Sequence, residues 1–395
     1  MSLSGRSTRR ARTALAAAMV SGAVVLTGCA DFSKQASPGH YTAAPSLNAE
    51  QPPQPEGPGE SGTGGGSPSS QTSVPPPQGC TDFHENVIGT CLGAVSAVAA
   101  LPGNAQQPSA LAAERSTGRI LQVSKGTPPT QLAKLDVDAK AGGVTGLALS
   151  PHYDEDQLIY AYVTTASGNQ VVRFAAGQAP KPILTGIPKG AKDNGGSLAL
   201  DHKGALLVAT GDAGNASAAN DPKSLAGKVL RIDGDGKPAP GNPDPHSPVL
   251  ASGVHAPGGV CATLDGSASY VTDQGGSRDQ LFHVTPGKLR EPTWSWPDKP
   301  GVAGCSATAK LVSVNTTKAG NMQGIALNTD GSVNGQPQVG VTGKDGFGKL
   351  SGMDVLGEGI VVVGTANKES GGKPVSSDDR VFIIQPQAGG GTGKD

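Results

Sequence analysis

The stretch PKGAKDNGGSLALDHKGALLVATGD, residues 188–212, decides the fold. It opens as a polar, glycine-rich loop, passes into the alternating run SLAL, turns at DHKG and returns through ALLVAT. Two short alternating runs joined by a tight polar turn are the pattern of a β-hairpin. A loop that feeds such a strand is where a β-rich protein usually carries its chemistry, so KDNGG is a candidate site.

The same strand, turn and strand unit recurs along the chain as LALSPHYDEDQLIYAYV, VCATLDGSASYVTD and IALNTDGSVN. Each run is bounded by Gly, Asp, Asn or Pro turn residues, and no segment carries an amphipathic helix beyond a turn or two around DPKSLAG. The spacing of the units is close to the ~40–50 residues of a propeller blade. About 295 residues of this pattern correspond to six blades, or seven at the shortest spacing. The predicted fold class is an all-β, six-bladed β-propeller over residues 80–388. A β-sandwich would need fewer strands per domain and would split this region in two.

Before the propeller the chain changes character. Arg6, Arg9, Arg10 and Arg12 precede the apolar run TALAAAMVSGAVVLT, and Leu26, Thr27, Gly28 and Cys29 close the segment with small residues. The apolar run falls short of the ~20 residues a spanning helix needs, so residues 1–28 read as a cleaved export signal. LTGC resembles a bacterial lipobox, which implies that Cys29 becomes the lipidated N-terminus. Residues 29–79 are rich in Pro, Gly, Ser and Gln, as in QPPQPEGPGESGTGGGSPSSQTSVPPPQ, and read as a disordered tether. A flexible coil of roughly 50 residues spans ~40 Å on average, enough to hold a domain clear of a bilayer. Residues 389–395 read as a disordered tail. The expected location is the outer face of a bacterial cell membrane, held there by the lipid on Cys29.

Export decides how the cysteines read. With Cys29 lipidated, Cys80, Cys91, Cys261 and Cys305 remain in a compartment that permits disulfides. Of the three pairings possible, Cys80–Cys91 with Cys261–Cys305 is favoured, the first closing a short loop. No paired CxxC or HxxxH spacing supports zinc. Losing the four signal arginines, with no acid, takes the formal charge from −1 to about −5. With aromatics at 3%, the chain lacks both the basic stripe and the stacking surface of a nucleic-acid binder. No GxSxG or HExxH motif supports a hydrolase or metalloprotease.

The runs AAERSTGRILQV, GGVTGLALSPHYDEDQLIYAYV, KDNGGSLALDHKGALLVATGD, SLAGKVLRIDGDGKPAPGNP and SGVHAPGGV follow one another in that order. Together they resemble the soluble glucose/sorbosone dehydrogenases, six-bladed propellers that use pyrroloquinoline quinone (PQQ). The likeness is strong through four blades and faint in the last two. With LTGC and WSWPDKPGVAGC added, the whole chain is similar to lipoproteins of the mycobacterial cell envelope.

The resemblance implies PQQ and calcium as candidate cofactors, and it also exposes departures. Oxidising a sugar with this quinone needs a base for the hydroxyl proton. The family carries an Asp-His pair before its GRL strand, where this chain has Asp193 and Asn194. An amide cannot take that proton. The family's GHRNPQGLAF, whose Arg-Asn pair holds the quinone, reads GVHAPGGVCA here, placing His255 and Ala256 at those positions. Gln274 matches a family glutamine, and Arg278 follows in the same cofactor-facing loop. A later arginine pair falls near GKLSGMDV, where Lys349 alone supplies charge and Ser351 replaces a second cation.

Each candidate also has a plainer reading. Asp193 suits a turn aspartate bonding its own backbone. His255 suits loop filler, and Gln274 and Arg278 a structural turn. Asp233 and Asp235 in IDGDGK suggest a calcium loop, but without further ligands a β-turn is favoured. Trp294 and Trp296 share one strand face, and packing against a neighbouring blade is favoured over a sugar-stacking shelf. The sequence therefore points to a monomeric envelope propeller that binds a sugar, another envelope ligand or a partner, its ancestral catalytic site degraded. An active PQQ-dependent sugar dehydrogenase with a rearranged site is the alternative. A lactonase-type hydrolase with a central metal stands third.

The lipobox reading carries a prediction. Cys29→Ala should block lipidation and leave the signal segment uncleaved at this position. Mass spectrometry that finds an unmodified Cys29 within an intact mature chain would contradict it.

Overall fold

Short alternating runs pair most readily with their sequence neighbours, and most strands within each blade do so here. The computed structural model describes residues 74–103, 106–342, 346–369 and 371–385. The signal segment, Cys29, the tether up to residue 73 and the tail 389–395 lie outside the described residues. Gln78, at the end of the tether, already exchanges backbone hydrogen bonds with Thr81.

Six antiparallel sheets follow one another around a central axis, the six-bladed β-propeller the sequence predicts. Blade 1 comprises Val95–Ala100, Ser109–Glu114, Arg119–Ser124 and Thr127–Lys134, from the axis outward. Blade 2 runs Val144–Leu149, Ile159–Thr164, Asn169–Phe174 and Lys181–Ile187. Blade 3 has Gly196–Leu200, Leu206–Thr210, Lys228–Ile232 and Val249–Ser252, and blade 4 has Pro257–Ala262, Ser269–Asp273, Asp279–His283 and Trp294–Trp296. Blade 5 is built from Val302–Ala307, Leu311–Thr316, Met322–Ala326 and Gln338–Gly340. Blade 6 takes Leu350–Leu356, Ile360–Thr365 and Val381–Ile384, and its outermost strand, Val87–Gly89, comes from the other end of the chain. That borrowed strand closes the ring, and the Cys80–Cys91 disulfide brackets it.

Two details depart from a plain four-strand repeat. Gly287–Lys288, from the connection inside blade 4, pairs in parallel with Val249–Ser252 and covers the open edge of blade 3. Among the described residues helix is confined to single turns at Tyr153–Asp156, Ala218–Asn220 and Gly357–Gly359, so the turn expected around DPKSLAG lies just before it.

The core lies between blades, with side chains from facing sheets interdigitating. Ala99, Leu111, Ala113 and Ile120 of blade 1 meet Leu147, Ile159, Ala161 and Val172 of blade 2. Small residues dominate near the axis because the inner strands converge there. Gly304 faces blade 6 so closely that a Cβ would sit 2.5 Å from the Met353 nitrogen. At Gly352 one would sit 2.6 Å from Ala97 Cα of blade 1.

Each of the six seams between blades is tied by at least one polar side chain bonded to backbone. Ser96 Oγ donates to Val144 O at 2.6 Å, Thr145 Oγ1 accepts from Gly196 N at 2.9 Å, and Ser197 Oγ accepts from Val260 N at 3.1 Å. Thr272 Oγ1 donates to Ala303 O at 2.8 Å, and Asn315 Nδ2 to Ser351 O at 3.0 Å. Ser351 Oγ donates to Val95 O and completes the circle.

The fourth and fifth blades carry a covalent tie as well. Cys261 and Cys305, on their innermost strands, are bridged with Cα atoms 5.7 Å apart, the pairing favoured from sequence. Trp296 is buried and donates its indole N–H to Gln323 Oε1 of blade 5 at 2.6 Å, with Trp294 packed beside it. The tryptophans thus pack between blades and form no exposed shelf. Replacing both Cys261 and Cys305 by Ser should lower unfolding free energy by ~4 kcal/mol in the chain-entropy picture. Denaturant melts measure it, and an unchanged midpoint or free thiols in the unaltered protein would contradict the bridge.

Candidate active site on the upper face

The loops that enter the six inner strands crowd one face of the propeller and line two adjoining cavities there. The central cavity, about 380 Å³, is bordered by Ser96, Arg115, Thr145, Asp193, Gln274, Lys349, Ser351 and Glu369, among others. The second, about 590 Å³, lies towards the rim between blades 3 and 4 and is bordered by Lys192, Asp193, Asp212, His255, Gln274, Arg278 and Lys299. Asp193 and Gln274 belong to both. Asp193, His255, Gln274, Arg278 and Lys349, read separately from the sequence, are thus brought to one face. A third cavity, about 230 Å³, opens at the opposite end of the channel. Its lining is mostly aliphatic, and burial pushes Asp354 up to about 6 there.

KDNGG is the loop between blade 2 and the inner strand of blade 3. From the sequence, the lost base falls at Asn194, but that side chain is 1% exposed and its hydrogen bonds are all used locally. Its Oδ1 accepts from Gly190 N at 2.7 Å, and its Nδ2 donates to Gly190 O at 2.8 Å and Ala141 O at 3.0 Å. Asn169 Nδ2 pins Pro188 O at 2.7 Å and shapes the same loop. Asn194 is therefore a structural lock. Asp193 instead borders both cavities, from a left-handed backbone with φ 53°. Lys192 Nζ lies 3.2 Å from its Oδ2.

His255 sits in the loop entering blade 4, where nearly every polar atom it owns is held. Its Nδ1 is 2.8 Å from Asp212 Oδ2, and its carbonyl accepts from Asp212 N at 2.8 Å. Its backbone N–H donates to Asp273 Oδ2 at 3.0 Å, and Ala256 N–H to Asp273 Oδ1 at 2.7 Å. Asp212 and Asp273 are both buried. Gly275 must be glycine here, because a Cβ would strike the His255 side chain. Asp212 is held in turn by Gly214 N, which donates to Oδ1 at 2.8 Å.

The remaining predicted groups are largely structural. Gln274 Nε2 donates to Val302 O at 2.6 Å, bridging blades 4 and 5. Ser351, expected to mark a lost cation, ties the closing seam. Asp233 Oδ1 accepts from the backbone of Asp235 and Lys237, both at 2.9 Å, and Asp235 pairs with Arg173. These aspartates form a turn, and among the described residues no cluster of three or more His, Cys, Asp or Glu could hold a metal ion.

Several groups at the site were not singled out from sequence. Arg115 pairs with Glu369 across the blade 1 and blade 6 seam, Nη1 to Oε1 at 2.8 Å. Lys299 Nζ donates to the carbonyls of Gln274 at 2.9 Å and Gly276 at 2.8 Å. Lys228, whose ammonium burial pulls down to about 8, donates to Ala218 O, Ala219 O and Ala226 O and fixes the loop after Asp212. Asp212 and Asp273 close equivalent strands in VATGD and YVTD, and that repetition was the available signal.

The architecture and its upper-face site are those of a six-bladed propeller built around a polar funnel. The chain belongs to the glucose/sorbosone dehydrogenase family, whose model matches residues 97–299 and ends just before blade 5. An aldose sugar dehydrogenase of Streptomyces coelicolor, solved in its PQQ-bound form, is 28% identical with a TM-score of 0.69, over 76% of this chain and 96% of that one. An oxidoreductase of Thermus thermophilus, described as a glucose dehydrogenase, is 27% identical with a TM-score of 0.68, over 75% and 98%. The soluble aldose sugar dehydrogenase of Escherichia coli, in its apo-form, shares the fold at 18% identity and a TM-score of 0.64, over 75% and 98%. No curated protein matches the chain in sequence.

The charges of the central cavity test whether PQQ suits it. Arg115 and Lys349 face Asp193 and Glu369, so the charged lining is formally neutral, and Arg115 is already paired. A tricarboxylate would find no excess positive charge there, and bringing it next to two carboxylates is costly. The central cavity by itself does not suit that cofactor, and Lys192, Arg278 and Lys299 border only the rim cavity beside it.

Asn194→Ala should strand Gly190 N–H and two carbonyls, costing ~2–3 kcal/mol. Thermal unfolding should show a midpoint several degrees lower, and an unchanged midpoint would contradict the locking role.

Proposed function

We propose that this propeller binds a polyhydroxylated ligand, a sugar or a glycan of the cell envelope, in its upper-face funnel and has lost PQQ-dependent oxidation. The observation that carries this reading is the neutral lining of the central cavity, where Arg115 is cancelled by Glu369. Carboxylate, amide, hydroxyl and guanidinium groups converge there, the donor and acceptor mixture that neutral sugars need. Asn194, buried and consumed by bonds to Gly190 and Ala141, supports the same conclusion from the side of the base. We further propose that the protein is exported and held at the membrane by lipid on Cys29, with the tether carrying the funnel away from the bilayer.

A second reading, an active dehydrogenase with a rearranged site, draws on Asp193, which borders both cavities. Dye reduction separates the two. With calcium, excess PQQ, and glucose or other aldoses, the unaltered protein should give no turnover above the blank. Asn194→His alone should not restore it, because that position is buried and the charge deficit persists. Losing two or three charge-assisted contacts, each worth ~1.5–3 kcal/mol, weakens cofactor affinity by several orders of magnitude. Robust turnover by the unaltered protein would establish the second reading.

A further inference from the structure

The rim cavity between blades 3 and 4 holds an acid–base pair that sugar binding alone does not require. His255 is positioned through its backbone N–H, its carbonyl and its Nδ1, and two buried carboxylates do the positioning. With Nδ1 against Asp212 Oδ2 at 2.8 Å, the tautomer protonated on Nδ1 is favoured, leaving Nε2 as an acceptor. Nε2 has no hydrogen-bond partner among the described residues, although the side chain is 37% exposed and borders the cavity. A histidine that merely fills a loop would not be held at every other polar atom.

Two further features mark the place. Three of the seven non-glycine residues with left-handed backbone, Asp193, Ala213 and Lys299, cluster around this cavity. Such conformations cost free energy and persist where surrounding structure enforces them, often at functional sites. Arg278 and Lys299 border the same space and favour negative charge developing on a bound oxygen.

We propose that His255 is a general base acting on the anomeric hydroxyl of a reducing aldose, that Asp212 is its positioning residue, and that the reaction is redox-neutral ring opening, or mutarotation. The proposal rests on the sugar-binding reading above. Because the central cavity does not suit the quinone, hydride leaving a sugar carbon would have no acceptor, and a base can only move protons. The anomeric hydroxyl is the one whose deprotonation breaks a carbon–oxygen bond, since the ring oxygen O5 leaves from the same carbon. The proton of O1 passes to Nε2, the O1–H electron pair becomes the C1=O1 π bond, and the C1–O5 pair stays on O5. The imidazolium returns the proton to O5, and the reverse steps after rotation about C1–C2 give the other anomer. Nothing is oxidised or reduced.

Polarimetry of freshly dissolved α-D-glucose, with galactose and xylose alongside, tests this, with saturation-transfer NMR reporting aldose binding separately. The unaltered protein should accelerate interconversion with saturation kinetics. His255→Gln should lower kcat by ~10²-fold or more while the aldose still binds. Asp212→Asn should lower kcat far more than it changes KM, because an amide donating to Nδ1 moves the ring proton to Nε2. That tautomer change is visible in the imidazole ¹⁵N shifts, which a purely structural role would not move. Binding without acceleration, or full acceleration in a folded His255→Gln protein, overturns the inference and leaves the sugar-binding reading standing. No aldose binding at all overturns both.

Discussion

Six inner strands converge on one axis, and the rest of the structure depends on how closely they can approach. Glycines such as Gly304 and Gly352 let neighbouring backbones come within a distance no side chain would allow. At that range the exposed backbone groups of one blade need partners, and a Ser, Thr or Asn at each seam helps to supply them. The circle closes through Ser351 and through a strand borrowed from the N-terminal end. This frame sets the positions of the loops that enter each inner strand.

Those loops are steered by buried polar groups of the neighbouring strands. Asp273 holds the backbone of His255 and Ala256, Asp279 holds that of Gly301 and Val302, and Glu114 holds Gly93. Asn194 locks its own loop in the same way. A funnel built like this keeps its shape while its chemistry changes, because the locks and the lining are different residues. Asn194 and Asp193 are adjacent in sequence, yet one stabilises the loop and the other faces the ligand space. The family's scaffold is therefore retained here, whatever chemistry its lining carries.

The fold was largely legible because it is local. A hairpin such as SLALDHKGALLVAT declares itself within 14 residues of alternating sequence, and the same unit recurs from blade to blade. Counting cysteines left three pairings, of which Cys261–Cys305 with Cys80–Cys91 was favoured, and the propeller places Cys261 and Cys305 on adjacent inner strands. The site was legible only in part. His255 and Asp212 lie 43 positions apart and meet only when blade 4 packs on blade 3, while Arg115 and Glu369 lie 254 apart and meet only when the ring closes. Nothing in AAERSTGR signals that Arg115 will be neutralised by the last blade. The lost cation inferred at Ser351 shows the opposite failure, since a position read for its chemistry proves to hold a seam.

The central claim is that the funnel kept its shape and lost the charge needed for a tricarboxylate quinone. Equilibrium titration of PQQ into the purified protein, in calcium-containing buffer and without any sugar, tests that directly. The account predicts no saturable binding tighter than ~100 μM, that is, no more than about 5.5 kcal/mol of favourable free energy. A dissociation constant in the low micromolar range or below would contradict it.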